Sequence, residues 1–124
     1  MTDRKDVQTL IISGKLISLN VYRNAHYFKL NKMKMDWAEL TKIAVFQQNI
    51  KAVKACNITF IFNFLDKRIR DLDNYCATIK FILDGLVSAD IITDDNYEIV
   101  RSISILKGKI KKEFVKIEIQ EIVD

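Results

Sequence analysis

Residues 56–95 read CNITFIFNFLDKRIRDLDNYCATIKFILDGLVSADIITDD, and the two halves of this stretch carry different periods. Residues 56–65 are crowded with aromatic and β-branched side chains, apolar at neighbouring as well as alternate positions. That predicts a central strand covered on both faces. Residues 66–72 are a charged loop. Over 74–89, Ile79, Ile82, Leu83 and Leu86 recur at i, i+3, i+4 and i+7, the stripe of a helix with one face in a core. Asp73 stands where it can cap that helix.

The same reading extends outward. Residues 7–13 (VQTLIIS) make a short strand that stops at Gly14, and 15–28 lack a clean period, as an irregular or partly extended segment would. A helix is expected from an Asn31 N-cap to about Val53, with Met33, Trp37, Leu40 and Ala44 on its apolar stripe. Towards the C-terminus, 97–106 and 114–122 read as strands. The second alternates, with Val115, Ile117 and Ile119 on one face and Lys116, Glu118 and Gln120 on the other. The short turn at 107–112, containing Gly108, predicts that the two form an antiparallel hairpin. The sum is an α+β fold: a single mixed or antiparallel sheet of about four strands with two main helices on it. With no proline, repeat or low-complexity linker, 1–124 is expected to be one domain.

No apolar run is long enough to cross a bilayer and the first residues lack the apolar core of a signal peptide, so a cytoplasmic protein without a membrane partner is expected. Cys56 and Cys76 have no metal-ligand spacing and read as free, mostly buried thiols. Charge is uneven. Residues 1–60 carry ten Lys/Arg against four Asp/Glu, a net +6, whereas 61–124 carry ten against twelve, a net −2. A basic half beside an acidic site suits a polyanionic substrate, although a modest bias is also what an ordinary solvated surface shows.

Carboxylates bracket the predicted helix at 74–89. Asp71 and Asp73 precede it, Asp84 lies within it, and Asp94 and Asp95 close the turn that follows. Bringing like charges together is costly unless a cation holds them, and hard carboxylate oxygens suit Mg2+ (or Mn2+) and the phosphoryl chemistry it supports. Adjacent residues diverge, so only one of Asp94 and Asp95 is expected to point inward. Lys80, seven residues after Asp73, falls within about 20° of two helical turns from it and so shares its face. It can stabilise charge on a phosphate, or simply pair with Asp84 at i+4; the two roles are compatible. Asn20, Arg23, Lys67, Arg68 and Arg70 are candidate DNA contacts, Arg70 alternatively pairing with Asp71 or Asp73. His26 can be structural or touch DNA, Phe60, Phe62 and Phe64 are core, and Trp37 is core or a dimer contact.

These residues resemble the RusA family of Holliday junction resolvases. The family pattern runs R-x-D-x-D-N, a helix with a lysine, D-x-L and a closing D-D, here Arg70 to Asn74, Lys80, Asp84 to Leu86 and Asp94-Asp95. SLNVYRNAHY (18–27) is similar to the family's early S-x-N-x-x-R-x-x-x-Y element. The chain departs from the pattern in two places. The family's lysine follows the second aspartate by four residues, where this chain has Ala77, and the family's Pro-Pro before the serine is replaced by Leu16-Ile17. Offsets of four and seven still fall on one helix face, at about +40° and −20°. The resemblance implies a Mg2+- or Mn2+-dependent endodeoxyribonuclease, often phage-borne and then acting in the host cytoplasm. Such an enzyme works as a homodimer and resolves four-way junctions by paired symmetric nicks in recombination and repair, with no nucleotide cofactor. It assigns Asp71, Asp73 and Asp95 to catalysis and the metal, with Asp94 a possible further ligand, and Lys80 to the scissile phosphate. A non-catalytic branched-DNA binding module, or a metal nuclease for other branched or duplex DNA, remains the alternative from the residues themselves.

Overall fold

A computed structural model describes residues 7–71 and 73–123; Leu72 lies outside them. The elements run β1 (Val7–Ser13), α1 (Leu19–Asn24), α2 (Tyr27–Gln47), β2 (Cys56–Asn63), α3 (Cys76–Ser88), β3 (Val100–Lys107) and β4 (Phe114–Glu121). The four strands form one mixed sheet in the order β1-β4-β2-β3. β4 pairs antiparallel with both β1 and β2, while β2 and β3 pair in parallel around α3. The α+β class with one four-stranded sheet and two long helices is therefore as expected.

The expected β3–β4 hairpin does not form. The two strands flank β2, and the connection crosses its C-terminal end. Asn63 explains how. Its side chain is buried, and its Oδ1 accepts from the Ile110 N–H at 3.1 Å, while the Gly108 N–H reaches the Phe62 carbonyl at 2.7 Å. A Cβ on Gly108 would collide with that same Asn63 Oδ1. The Asn63 side chain and the Phe62 carbonyl thus each take one N–H of the connection as it passes over the end of β2, and β4 returns on the far side of that strand.

β2 is an inner strand, but only one of its faces is fully covered. Cys56, Ile58, Phe60 and Phe62 are buried, whereas Asn57, Thr59 and Ile61 on the other face are half-buried. β4 alternates as expected: Val115, Ile117 and Ile119 are inaccessible. Trp37, Ile79, Ile82, Leu83 and Leu86 from the helices complete the core, as the stripes predicted. Phe64 packs only at its edge. Cys56 is buried, and burial, with Glu121 adding to it, pushes its thiol up to about 11; Cys76, expected to be buried, is exposed.

Helix boundaries moved for local reasons. The segment expected to be irregular contains α1, because the Ser18 hydroxyl accepts from the Val21 N–H at 3.3 Å and caps it. α2 starts at Tyr27, earlier than Asn31, with the His26 ring as its cap. It ends at Gln47, well before Val53. Asn49 takes a left-handed φ of 55°, and the Ile50 N–H returns to the Val45 carbonyl. α3 ends the same way, with Asp90 at φ 61° and the Ile91 N–H on Leu86. Both are Schellman endings in which Asn or Asp takes the place usually given to glycine. The two helices meet where Gly85 faces Thr41: a Cβ there would lie 2.7 Å from the Thr41 Cβ. The same helix pair carries Lys34 of α2 and Asp84 of α3 on facing sides. No helix among the described residues is long and apolar enough to cross a membrane.

Candidate metal and phosphate site

The exposed side of α3 carries Cys76, Lys80 and the partly buried Asp84 at i, i+4 and i+8, opposite the core stripe. Asp73 is not on the helix. α3 begins at Cys76 with no side-chain cap, and Asp73 sits in the preceding turn, where its carbonyl accepts from the Cys76 N–H at 3.3 Å. The expected cap and the shared helical face of Asp73 and Lys80 therefore do not hold, since the chain has not yet entered helical geometry at that point.

Lys80 joins two distant parts of the stretch. Its ammonium lies 2.8 Å from Asp95 Oδ2 and 3.1 Å from Asp84 Oδ1. Lys34 stands 3.9 Å from the other Asp84 oxygen. The i+4 pair with Asp84 and the tertiary pair with Asp95 thus coexist. The hydrogen bond from Lys80 holds the Asp95 carboxyl below the usual range, against partial desolvation. Reciprocally, the hydrogen bonds to Asp95 and then Asp84 raise the Lys80 ammonium. Asp94 turns away: its oxygens take the Asp95 N–H at 2.7 Å and the Asn96 amide at 3.1 Å. One member of the closing pair faces the helix and the other braces its own loop, as adjacent residues must.

Asp71 lies elsewhere, in a cleft of about 360 Å³ that it lines with Asn20, Arg68, Arg70, Asn74 and Tyr75, among others. Three of the five candidate DNA contacts thus share a cleft with a candidate catalytic aspartate. The Leu19 N–H reaches the Asn74 carbonyl at 2.7 Å and pins α1 to this wall. Arg23 is exposed in the last turn of α1, and Lys67 is exposed on the charged loop. The side chains of Asp71 and Asp73 are exposed and make no hydrogen bond or ion pair to described residues.

Arg70 pairs with neither of these aspartates. Its side chain, 12% exposed, bonds Asp66 at 2.8 Å, the Tyr75 hydroxyl at 3.2 Å and the Arg68 carbonyl at 3.1 Å, and lies 4.0 Å over the Phe64 ring. It clasps both ends of the loop that presents Asp71. Asp66 and Tyr75 are the residues that sequence reasoning missed here. Their only signal was position, Asp66 opening the charged loop and Tyr75 standing just before the first residue of α3.

Among the described residues, no three His, Cys, Asp or Glu side chains gather into one group that could hold an ion. The structure therefore brings Lys80, Asp84 and Asp95 together, and Asp71, Arg68, Arg70 and Asn20 together. No protein-family model and no curated protein matches this chain.

Proposed function

We propose that this protein is a RusA-like, divalent-metal-dependent endonuclease that resolves four-way DNA junctions as a homodimer, in recombination and repair in the cytoplasm. The observation that carries the proposal is the contact of Lys80 with Asp95. Residues fifteen apart in sequence, matched separately to one family pattern, meet at 2.8 Å. The remaining support is the cleft that groups Asp71 with basic and polar side chains on the loop before α3.

The donor set suits Mg2+ or Mn2+ in kind. Asp71 and Asp73 offer hard oxygens with no protein partner among described residues, and Asp95 already draws a positive charge, the Lys80 ammonium. Asp71 and Asp73 would offer the ion its first oxygens. Asp95, set apart beside Lys80, would join them only if the turn before α3 closed toward it, since the three do not form one group as they stand. The ion would supply charge neutralisation at the scissile phosphate and an activated water. Lys80 would hold positive charge against the phosphate oxygens as charge develops on them. Arg68, Asn20, Arg23 and Lys67 would contact the backbone of the arms, which positions the DNA without reading bases.

The direct test is cleavage of a synthetic four-way junction and a matched linear duplex, with magnesium and with EDTA, by wild type and Asp73→Asn. Paired nicks on the junction alone, only with metal and only by wild type, are expected. Equal cutting by Asp73→Asn would sink the proposal.

A second reading has its own observation. Lys80 is paired with two carboxylates, Asp84 and Asp95, and so has a structural role that a binding module, holding branched DNA and cutting nothing, would share. Junction binding with no cleavage in any divalent metal would favour it.

A further inference from the structure

The corner between α1 and α2 exposes aromatic rings that the core does not use. Tyr27 is 72% exposed and Phe28 75%. Their centroids are 5.6 Å apart at 71°, and the His26 ring stacks on Phe28 at 5.6 Å and 22°. Three consecutive residues thus make a contiguous aromatic shelf on the surface, in which Tyr27 stands nearly perpendicular to Phe28, so that the two rings offer separate faces and not one plane. Water does not favour such a shelf, and burial on folding leaves it uncovered.

The charge around it selects the partner. From Lys15 to Met35 the chain carries five cations (Lys15, Arg23, Lys29, Lys32 and Lys34) and no Asp or Glu. One residue beyond the shelf, at Lys29, begins a groove of about 450 Å³ that has Val21, Met33 and Leu40 in its walls and Lys15 and Lys32 beside them. Lys32 is paired with Asp36 and Lys34 with Asp84, whereas Lys15 and Lys29 make no ion pair among the described residues. A second copy docked here across a two-fold axis would set these cations against their own images, which opposes self-association. A polyanion with exposed flat faces meets both features: phosphates for the lysines and arginine, and base faces for the rings. Duplex DNA hides its base faces in the stack. A branch point or a single strand exposes them.

We infer that Tyr27 and Phe28, supported by His26 and flanked by Arg23 and Lys29, are a stacking platform for unpaired or unstacked nucleobases. The platform gives the protein its preference for branched over linear DNA. The inference rests on the proposed junction reading for its substrate, and on the exposed rings and surrounding charge for its location.

The test uses the full chain in EDTA, so that no cutting intervenes, with three probes: a four-way junction carrying 2-aminopurine at the branch point, a linear duplex and a single-stranded oligonucleotide. The variant is Tyr27→Leu with Phe28→Leu, which keeps apolar bulk at two exposed positions and removes the ring faces. Binding to the junction and to the single strand is expected to weaken by roughly 5- to 150-fold per base that loses its stack, with duplex binding unchanged and the 2-aminopurine fluorescence change lost. Lys29→Gln should instead weaken all three probes alike. Unchanged junction and single-strand binding by the double variant overturns the platform. So does a change of sedimentation coefficient, which would make the shelf a self-association face. If wild type binds the junction no tighter than the duplex, the junction reading fails. The platform then stands or falls on whether the double variant loses the single strand.

Discussion

The carboxylates of this chain fall into two regions that the fold treats differently. Asp84 and Asp95 are partly buried and tied to Lys80, which sits 3.1 and 2.8 Å from them. Asp71 and Asp73 stand in a loop and turn before α3, exposed and without a partner among the described residues. One region has settled its charge internally, and the other presents charge to whatever arrives. The contrast shows that a carboxylate's role is set by what the tertiary structure places opposite it, since all four residues look alike in sequence. It also divides the work in the proposed enzyme: the Lys80 side is organised before any ligand binds, and the Asp71 side is where an incoming cation finds free oxygens.

The sharpest way to break the contrast is by activity. Asp71→Asn and Asp73→Asn are expected to slow metal-dependent junction cleavage by about a hundredfold or more, the scale of losing a group aimed at transition-state charge. Asp84→Asn, whose oxygens only face lysines, should leave it within a few-fold. Single-turnover rates on the junction decide this, and equal losses at Asp73 and Asp84 would erase the distinction.

Next in size is Lys80→Met, expected to slow the same cleavage by about ten- to a hundredfold. It also frees Asp95, so Mn2+ binding followed by electron paramagnetic resonance should tighten even as cutting slows. Weaker Mn2+ binding would mean that Lys80 organises the site without competing for it.

Arg70→Met tests whether the exposed region depends on its clasp. Losing a largely buried cation with three hydrogen bonds and an aromatic face should cost roughly 1–3 kcal/mol in urea unfolding. A loss below a few tenths would show that the loop holds itself. Thr78→Val is the control on the organised side of the fold. Thr78 Oγ1 both accepts from the Ile17 N–H at 2.9 Å and donates to the Ile17 carbonyl at 3.0 Å in the buried interior, so a similar loss of about 1–3 kcal/mol is expected.

The smallest effect is on pH. The Asp95 carboxyl is lowered by Lys80, so its contribution to stability is present above the ordinary aspartate range and lost as pH falls through its depressed value. The Lys80 ammonium is raised, so its contribution is present below the ordinary lysine value and lost as pH rises through the raised one. For a pair whose lysine is exposed and whose carboxylate is only partly buried, solvent screening keeps the total at about 0.2–1 kcal/mol. Urea midpoints against pH for wild type and Asp95→Asn should therefore converge in acid and separate near neutrality. Parallel curves would mean that the ion pair contributes nothing.

The fold was readable wherever hydrophobic period had only one solution. The α3 stripe and the alternation of β4 reflect burial of one face, and that pressure is written residue by residue. Helix ends were less readable, because they depend on single side chains. Ser18 and His26 start helices where no period shows, and Asn49 and Asp90 stop them in a backbone conformation that non-glycine residues seldom take. The hairpin failed for a different reason. A short connection makes adjacency the usual outcome, and nothing local reveals that a buried Asn63 will anchor the loop over β2.

The site divides along the same line. Residue types were enough to single out the carboxylates and Lys80 and to suggest an ion and a polyanion, because charge type is a local property. The i+4 spacing of Lys80 and Asp84 also held, whereas the seven-residue spacing from Asp73 did not, because Asp73 precedes the helix. Which aspartate meets Lys80, that Asp94 turns away, and that Arg70 binds Asp66, Tyr75 and Phe64 are decided only once the helix, the loop before it and the turn after it are packed on one sheet. A contact between residues fifteen apart depends on where two separate elements are placed, and that placement is set by the shared core beneath them, which no single stretch of sequence contains.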